Sequence, residues 1–165
     1  RRQRQMCIRD SKFTDVTEKD WFHDVVLELA ASGVVNGMTE TTFEPQGTLT
    51  RAEFATMLYR VSYAPVVTGE STYSDVKTGD WYYDAVVWAT EAGVVNGMGD
   101  GTFAPNDNIT RQEMATMLYR LAKAEKVEED KLASFPDAAS VADWAKDAMN
   151  WAVSTKIVNL SLIHI

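Results

Sequence analysis

Two eleven-residue stretches, sixty residues apart, hold the residues best placed to do chemistry. Thr50–Arg60 reads TRAEFATMLYR, and Thr110–Arg120 reads TRQEMATMLYR. In each, Thr-x-x-Glu has the form of a capping box. The threonine hydroxyl accepts from the amide three residues on, and the glutamate reaches back to the threonine amide. Helix structure therefore accounts for Thr50 and Glu53, and for Thr110 and Glu113. It does not account for the arginines. Arg51 and Arg111 stand at the first helical position, where the partial positive charge of the dipole opposes a cation by about 0.3–1 kcal/mol. A helix N-terminus with free amides is an anion site, and a guanidinium beside it adds a bidentate partner for a carboxylate. The competing reading pairs each arginine with Glu53 or a nearby aspartate on a solvated surface, an interaction of little energetic weight. Residue types alone leave both open, because duplication copies neutral residues as readily as functional ones.

Other chemistry is weaker. Asp20/Asp24, Asp80/Asp84 and Asp143/Asp147 are carboxylate pairs four residues apart in first helical turns. Such pairs serve acid–base catalysis, but capping and dipole compensation explain them more simply. His23 has Tyr83 at the matching position of the second copy, which points to a surface histidine. The glycine- and aspartate-containing GMGDGTFAPNDN raises calcium binding. An EF-hand loop set from Asn96 would place Met98 third and Asp107 twelfth, where a bidentate glutamate belongs, and the first copy lacks Asp100 and Gly101. Two histidines and one cysteine, His23, His164 and Cys7, are too few for the usual zinc spacings. The catalytic motifs G-x-S-x-G, H-E-x-x-H and the P-loop do not occur. No catalytic residue, metal or cofactor is expected.

Composition sets the class. The chain has 165 residues, 45% hydrophobic and 10% aromatic, which suits a globular array of small modules. No apolar run nears the ~20 residues of a membrane span. Residues 1–12 carry five Lys/Arg against one Asp, a net +4, so a chain of net charge −8 leaves −12 on the remaining 153 residues. An acidic body of this kind repels nucleic acid. The basic tail lacks the apolar region of a signal peptide and reads as a disordered or non-native terminus.

The chain is built from repeats. Residues 13–62 align on 73–122 without gaps, with 24 of 50 positions identical. A third copy opens at FPDAASVADWAKDAMNW, with one extra residue between Asp137 and Trp144. It runs to Asn159 and diverges into LSLIHI, without a second half. The expected organisation is a tail at 1–12, repeats at 13–64 and 73–124, a partial repeat at 135–159, and a divergent end at 160–165, with 62–72 and 122–134 as polar spacers. Each full repeat reads as helix–loop–helix. The first helix starts near Trp21 or Trp81, with Asp20 or Asp80 as cap candidate, and stops before Gly33 or Gly93. The second carries an apolar stripe, Phe54, Met57, Leu58 and Val61, matched by Met114, Met117, Leu118 and Leu121. One repeat buries too little to stand alone, so neighbours must share a core.

The openings FTDV…DW, the loop GVVNGMGDGTFAPNDNITR and the TRAE/TRQE helix starts resemble the S-layer homology module of bacterial surface proteins. The resemblance covers roughly residues 13–159. It implies a mainly α fold of tandem modules in a pseudo-threefold helical bundle, here with the third module incomplete. It also implies a role at the bacterial cell surface: non-covalent anchoring of a passenger to an anionic, pyruvylated wall polysaccharide held in grooves between modules. Carried over by position, recognition of the pyruvate carboxylate falls on Arg51 and Arg111. Trp21, Trp81, Trp144, Gly37 and Gly97 become groove-lining candidates, although the tryptophans also read as core side chains meeting near a shared axis. Calcium binding and a protein-interaction repeat are the alternatives. Three further expectations follow. Arg51→Ala should spare or slightly raise stability, the face of Trp144, Ala148, Trp151 and Ala152 should lie partly uncovered, and at most two sites should form.

Overall fold

The computed structural model describes residues 12–159. The tail to residue 11 with Cys7, and the end from 160 with His164, fall outside the described residues. Within them the fold is helical: α1 (His23–Ala31), α2 (Arg51–Val61), α3 (Tyr83–Glu91), α4 (Arg111–Leu121) and α5 (Lys146–Ser154). Three 3₁₀ turns, Leu132–Ser134, Ala138–Ser140 and Asp143–Ala145, precede α5. Among the described residues no strand forms, and only Thr50 and Asn108 make an isolated antiparallel bridge.

Both capping boxes are present as read. The Thr50 and Thr110 hydroxyls accept from the Glu53 and Glu113 amides, and each glutamate accepts from its threonine amide at 2.8 Å. The first helices begin two residues later than expected. His23 and Tyr83 open them, and neither N-cap side chain makes a capping bond. Asp20 is therefore not a cap. Its carboxylate instead accepts from the Thr17 amide and hydroxyl, closing the turn before the helix, and Asp80 accepts from the Lys77 amide. Gly33 and Gly93 end α1 and α3 in the left-handed region, as expected. The Gly33 amide donates to the Ala30 carbonyl and the Val34 amide to the Leu29 carbonyl, the paired bonds of a Schellman motif.

α2 and α5 use the same ending without glycine. Tyr63 stands at φ +66° and Lys156 at φ +62°. A left-handed residue bearing a Cβ costs about 1–2 kcal/mol, of which glycine's extra unfolded freedom returns about 0.5–1. Tyr63 is fully exposed, so its ring contributes little packing. Tyr63→Gly is expected to stabilise the chain by about 0.5–1 kcal/mol, seen as a higher urea midpoint; a lower midpoint would show that the exposed ring matters.

The closest helix-to-helix packing joins neighbouring repeats, although Met117 of α4 also enters the core built on α3. α2 of the first repeat lies on α3 of the second, and α4 of the second lies on α5 of the third. One core combines Ala52, Ala55 and Leu58 of α2 with Val86 and Ala89 of α3 and Phe103 of the following loop. The next joins Ala115 of α4 to Met149 and Ala152 of α5, with Leu132 and Val141 beneath. Each seam carries the same aromatic pair, Tyr59 with Trp88 at 5.6 Å and Tyr119 with Trp151 at 5.7 Å.

This pattern corrects four expectations. Ala148 and Ala152 are fully buried and Trp151 is half-buried, because α4 of the preceding repeat covers them; of that face only Trp144 is largely exposed. The apolar stripe of α2 is only part of its buried face: Leu58 is buried and Phe54 packs on the core, but Val61 is exposed while Ala52, Ala55 and Thr56 are buried, and small side chains let α3 approach closely. His23 is buried, with its Nδ1 2.8 Å from the exposed Asp24 carboxylate. The 122–134 spacer is not a plain linker. Leu132 is buried, and Asn150 of α5 donates to the Val127 and Glu129 carbonyls and accepts from the Lys131 and Leu132 amides.

Candidate functional site

Each full repeat's loop is tied down by the aspartate of its opening motif, FTDV in the first repeat and YSDV in the second. Asp15 accepts from the Phe43 and Glu44 amides at 2.6–3.1 Å, and Asp75 from the Phe103 and Ala104 amides at 2.8 Å. The Phe43 amide, then the Glu44 amide, holds the Asp15 carboxyl below the usual carboxylate range. A carboxylate whose folded pKa is depressed contributes stability that is present above its unfolded value, near 3.9, and lost as pH falls through the folded value. Hydrogen-exchange protection of the Phe43 and Glu44 amides, corrected for intrinsic rate, should hold above about pH 4 and fall below it. Protection unchanged into strong acid would count against the clamp.

The anchored loops wall two cavities. The first, about 410 Å³, is lined by Arg51 of the first repeat, Asn96, Gly97, Glu113 and Arg120 of the second, and Trp144 of the third. The second, about 670 Å³, is lined by the matching Asn36, Gly37, Glu53 and Arg60 of the first repeat and Trp81 of the second, with Glu44 added. Both volumes fall in the range of small-ligand sites, about 300–1,000 Å³. Of the carried-over residues, Arg51, Gly97 and Trp144 share one cavity and Gly37 and Trp81 the other. Trp21 and Arg111 line neither.

The glycines are required by the backbone. Gly97 stands at φ +63°, and a Cβ there would run into the Tyr73 ring and the Thr102 carbonyl; one at Gly37 would strike the Phe13 ring. The tryptophans are not core residues meeting at an axis. Trp21, Trp81 and Trp144 are 90%, 64% and 57% exposed, and the latter two present their rings to different cavities.

Arg51 is where structure departs furthest from expectation. It is 5% exposed. Its Nε donates to the Phe103 carbonyl at 2.8 Å, its guanidinium lies 4.9 Å from the Phe103 ring, and a terminal nitrogen pairs with Glu113 Oε1. The other oxygen of Glu113 accepts from the Thr110 amide and hydroxyl. The amides at the start of α2 are also taken: Arg51 N–H donates to the Asp107 carbonyl at 2.9 Å and Ala52 N–H to the Pro105 carbonyl at 3.0 Å. The helix start is thus sealed by the next repeat's loop. Partners lay in the other repeat, beyond the reach of local reading.

Arg60 and Arg120 were missed. Each occupies the last turn of its helix, where a cation suits the dipole and so raises no question. Their recurrence at one register was the only sequence signal. Asp100 spends its carboxylate on the Thr102 amide and hydroxyl, a turn rather than a cation ligand. Among the described residues, no group of three or more His, Cys, Asp or Glu is placed to hold a metal. The carboxylate pairs considered for catalysis line neither cavity; Asp143 pairs with Lys146 and Asp147 with Lys126. Among the described residues no helix is long and apolar enough to cross a membrane.

Fold and clefts together define a helical repeat array with arginine-bearing, tryptophan-edged cavities where repeats meet. The S-layer homology domain matches residues 12–55, 72–115 and 134–160, and the chain belongs to that family. It is 39% identical over 153 residues to an amylopullulanase of Thermoanaerobacterium thermosulfurigenes, covering 91% of this chain and 8% of that protein. It is 38% identical to the exoglucanase XynX of Acetivibrio thermocellus, covering 89% and 14%. To the S-layer protein sap of Bacillus anthracis it is 33% identical, covering 88% and 18%. The chain therefore spans less than a fifth of each of these relatives. Modules of this family serve proteins of the bacterial cell surface, attaching them to the wall; they bind rather than catalyse.

Proposed function

We propose that this chain anchors a surface protein non-covalently to an anionic, pyruvylated wall polysaccharide through its inter-repeat cavities. The observation carrying this reading is the cavity bordered by all three repeats, which combines guanidinium groups, a glycine-opened loop and an exposed indole. A sugar ring offers an apolar face to Trp144, and a ketal carboxylate offers the two parallel acceptors that a guanidinium matches. In so acidic a chain the first cavity, where Arg51 and Arg120 face the single carboxylate of Glu113, is the place where a polyanion gains rather than loses energy. Whatever lies beyond this chain in its parent protein would be the passenger held at the surface. A calcium-dependent reading gains no support from Asp100, whose carboxylate is spent within its own turn.

The test is cosedimentation with purified wall sacculi before and after mild acid removal of pyruvate. Binding to untreated sacculi, lost on treatment, is the expected result. Binding indifferent to pyruvate would overturn the anionic ligand, and capture on a peptide array without sacculus binding would favour protein interaction.

A further inference from the structure

Resting on that reading, the geometry points to Arg120, with Arg60 as its counterpart, as the residue that recognises the ligand carboxylate, while Arg51 serves as a strut between repeats. Arg51 has no charge to spare. It is buried, its positive charge is met by Glu113, and its Nε is taken by the Phe103 carbonyl. A ligand carboxylate would have to displace a glutamate fixed in place by its own capping box.

Arg120 differs on each count. Its contacts are with neutral acceptors of the loop: one terminal nitrogen lies 3.4 Å from the Val94 carbonyl. The other lies 3.2 Å from the Asn96 side-chain oxygen, with the amide turned so that its nitrogen donates to the Val95 carbonyl. No ion pair among the described residues involves it. A residue serving only the dipole would bond the last carbonyls of its own helix. Arg120 instead reaches back 26 positions and is held at the wall of the cavity that Gly97 and Trp144 also line. Neutral acceptors orient a guanidinium without cancelling its charge, which suits it to bind an anion bidentately.

The second cavity makes the same assignment independently. It has no arginine equivalent to Arg51 in its lining, yet it keeps Arg60, again 3.4 Å from the matching Val34 carbonyl, with Gly37 and Trp81. The two cavities share the last-turn arginine, the loop glycine and the next repeat's tryptophan. Their difference lies in neighbouring charge. Glu44 and Glu53 accompany Arg60, whereas Arg51 offsets Glu113 beside Arg120, so the Arg120 cavity is the tighter carboxylate site.

The experiment titrates the full chain with a methyl hexoside bearing a 4,6-linked pyruvate ketal, using its methyl ester as neutral control. Arg120→Ala should weaken the ketal roughly tenfold or more, leave the ester unchanged and keep the melting temperature of the parent chain. Arg60→Ala should remove only the weaker of two binding events. In ¹⁵N spectra of the parent chain, the Arg120 Nε signal should shift with the acid and not with the ester. Arg120→Ala binding within twofold of the parent, or an Arg51 signal that moves while Arg120 stays still, overturns the assignment and leaves the anchoring reading intact. A parent chain that binds neither the ketal nor pyruvylated sacculi overturns both.

Discussion

Arg51→Ala is expected to destabilise the chain by about 3 kcal/mol, the lower end of the range for breaking a buried ion pair. The substitution strands the Glu113 carboxylate, whose side chain is 18% exposed, and orphans the Phe103 carbonyl. Against this, relief of the unfavourable dipole contact returns at most about 1 kcal/mol. The melting temperature should fall by roughly 10 °C for a chain of this size, followed by circular dichroism at 222 nm. A double-mutant cycle isolates the stranded charge: in a Glu113→Gln background, which keeps an acceptor for the Thr110 amide, Arg51→Ala should cost less. A melting temperature within a degree or two of the parent would return Arg51 to the role of an exposed ligand residue.

Phe103→Ala should do comparable or greater harm, about 3–5 kcal/mol. The ring is wholly buried, 5.6 Å from Tyr73, and lies under the Arg51 guanidinium. Its loss opens a void and loosens the strut together. The first repeat supplies an internal control. Phe43 is only half-buried and packs on Phe13 at 5.4 Å, and among the described residues no guanidinium lies over its ring. Phe43→Ala should therefore cost clearly less when the two are compared by urea unfolding. Equal losses would mean that the two repeats share their load evenly and that the Arg51 contact adds nothing.

What could be read from the chain was what its neighbours in sequence complete. Thr50 and Glu53 satisfy one another three residues apart, and the Gly33 and Val34 amides close α1 on carbonyls three and five residues back. Both devices were legible because every partner is local. Arg51 was misread because its partner is 62 positions away, and because the amides that would have welcomed an anion donate to Asp107 and Pro105. The tryptophans were misread in part because size suggests burial; Trp88 and Trp151 sit in seams between helices, whereas Trp81 and Trp144, seven residues earlier, face solvent at a cavity's edge. Arg60 and Arg120 escaped notice because they break no local rule.

The pairing of α2 with α3 and of α4 with α5 sets the folding unit out of phase with the written repeat. An exchange of modules cut at the spacers near 62–72 or 122–134 would carry half of one core and half of another, each evolved against a partner left behind. A cut inside the loops, between a first helix and the second helix of the same repeat, would keep each paired seam and its aromatic contact together, leaving only flanking core residues such as Met117 to be matched by the new partner. Chimeras of this chain with other arrays should accept crossovers at loops more readily than at spacers, and drift that fixes a change on α2 should find its compensation on α3, across what the alignment calls a boundary.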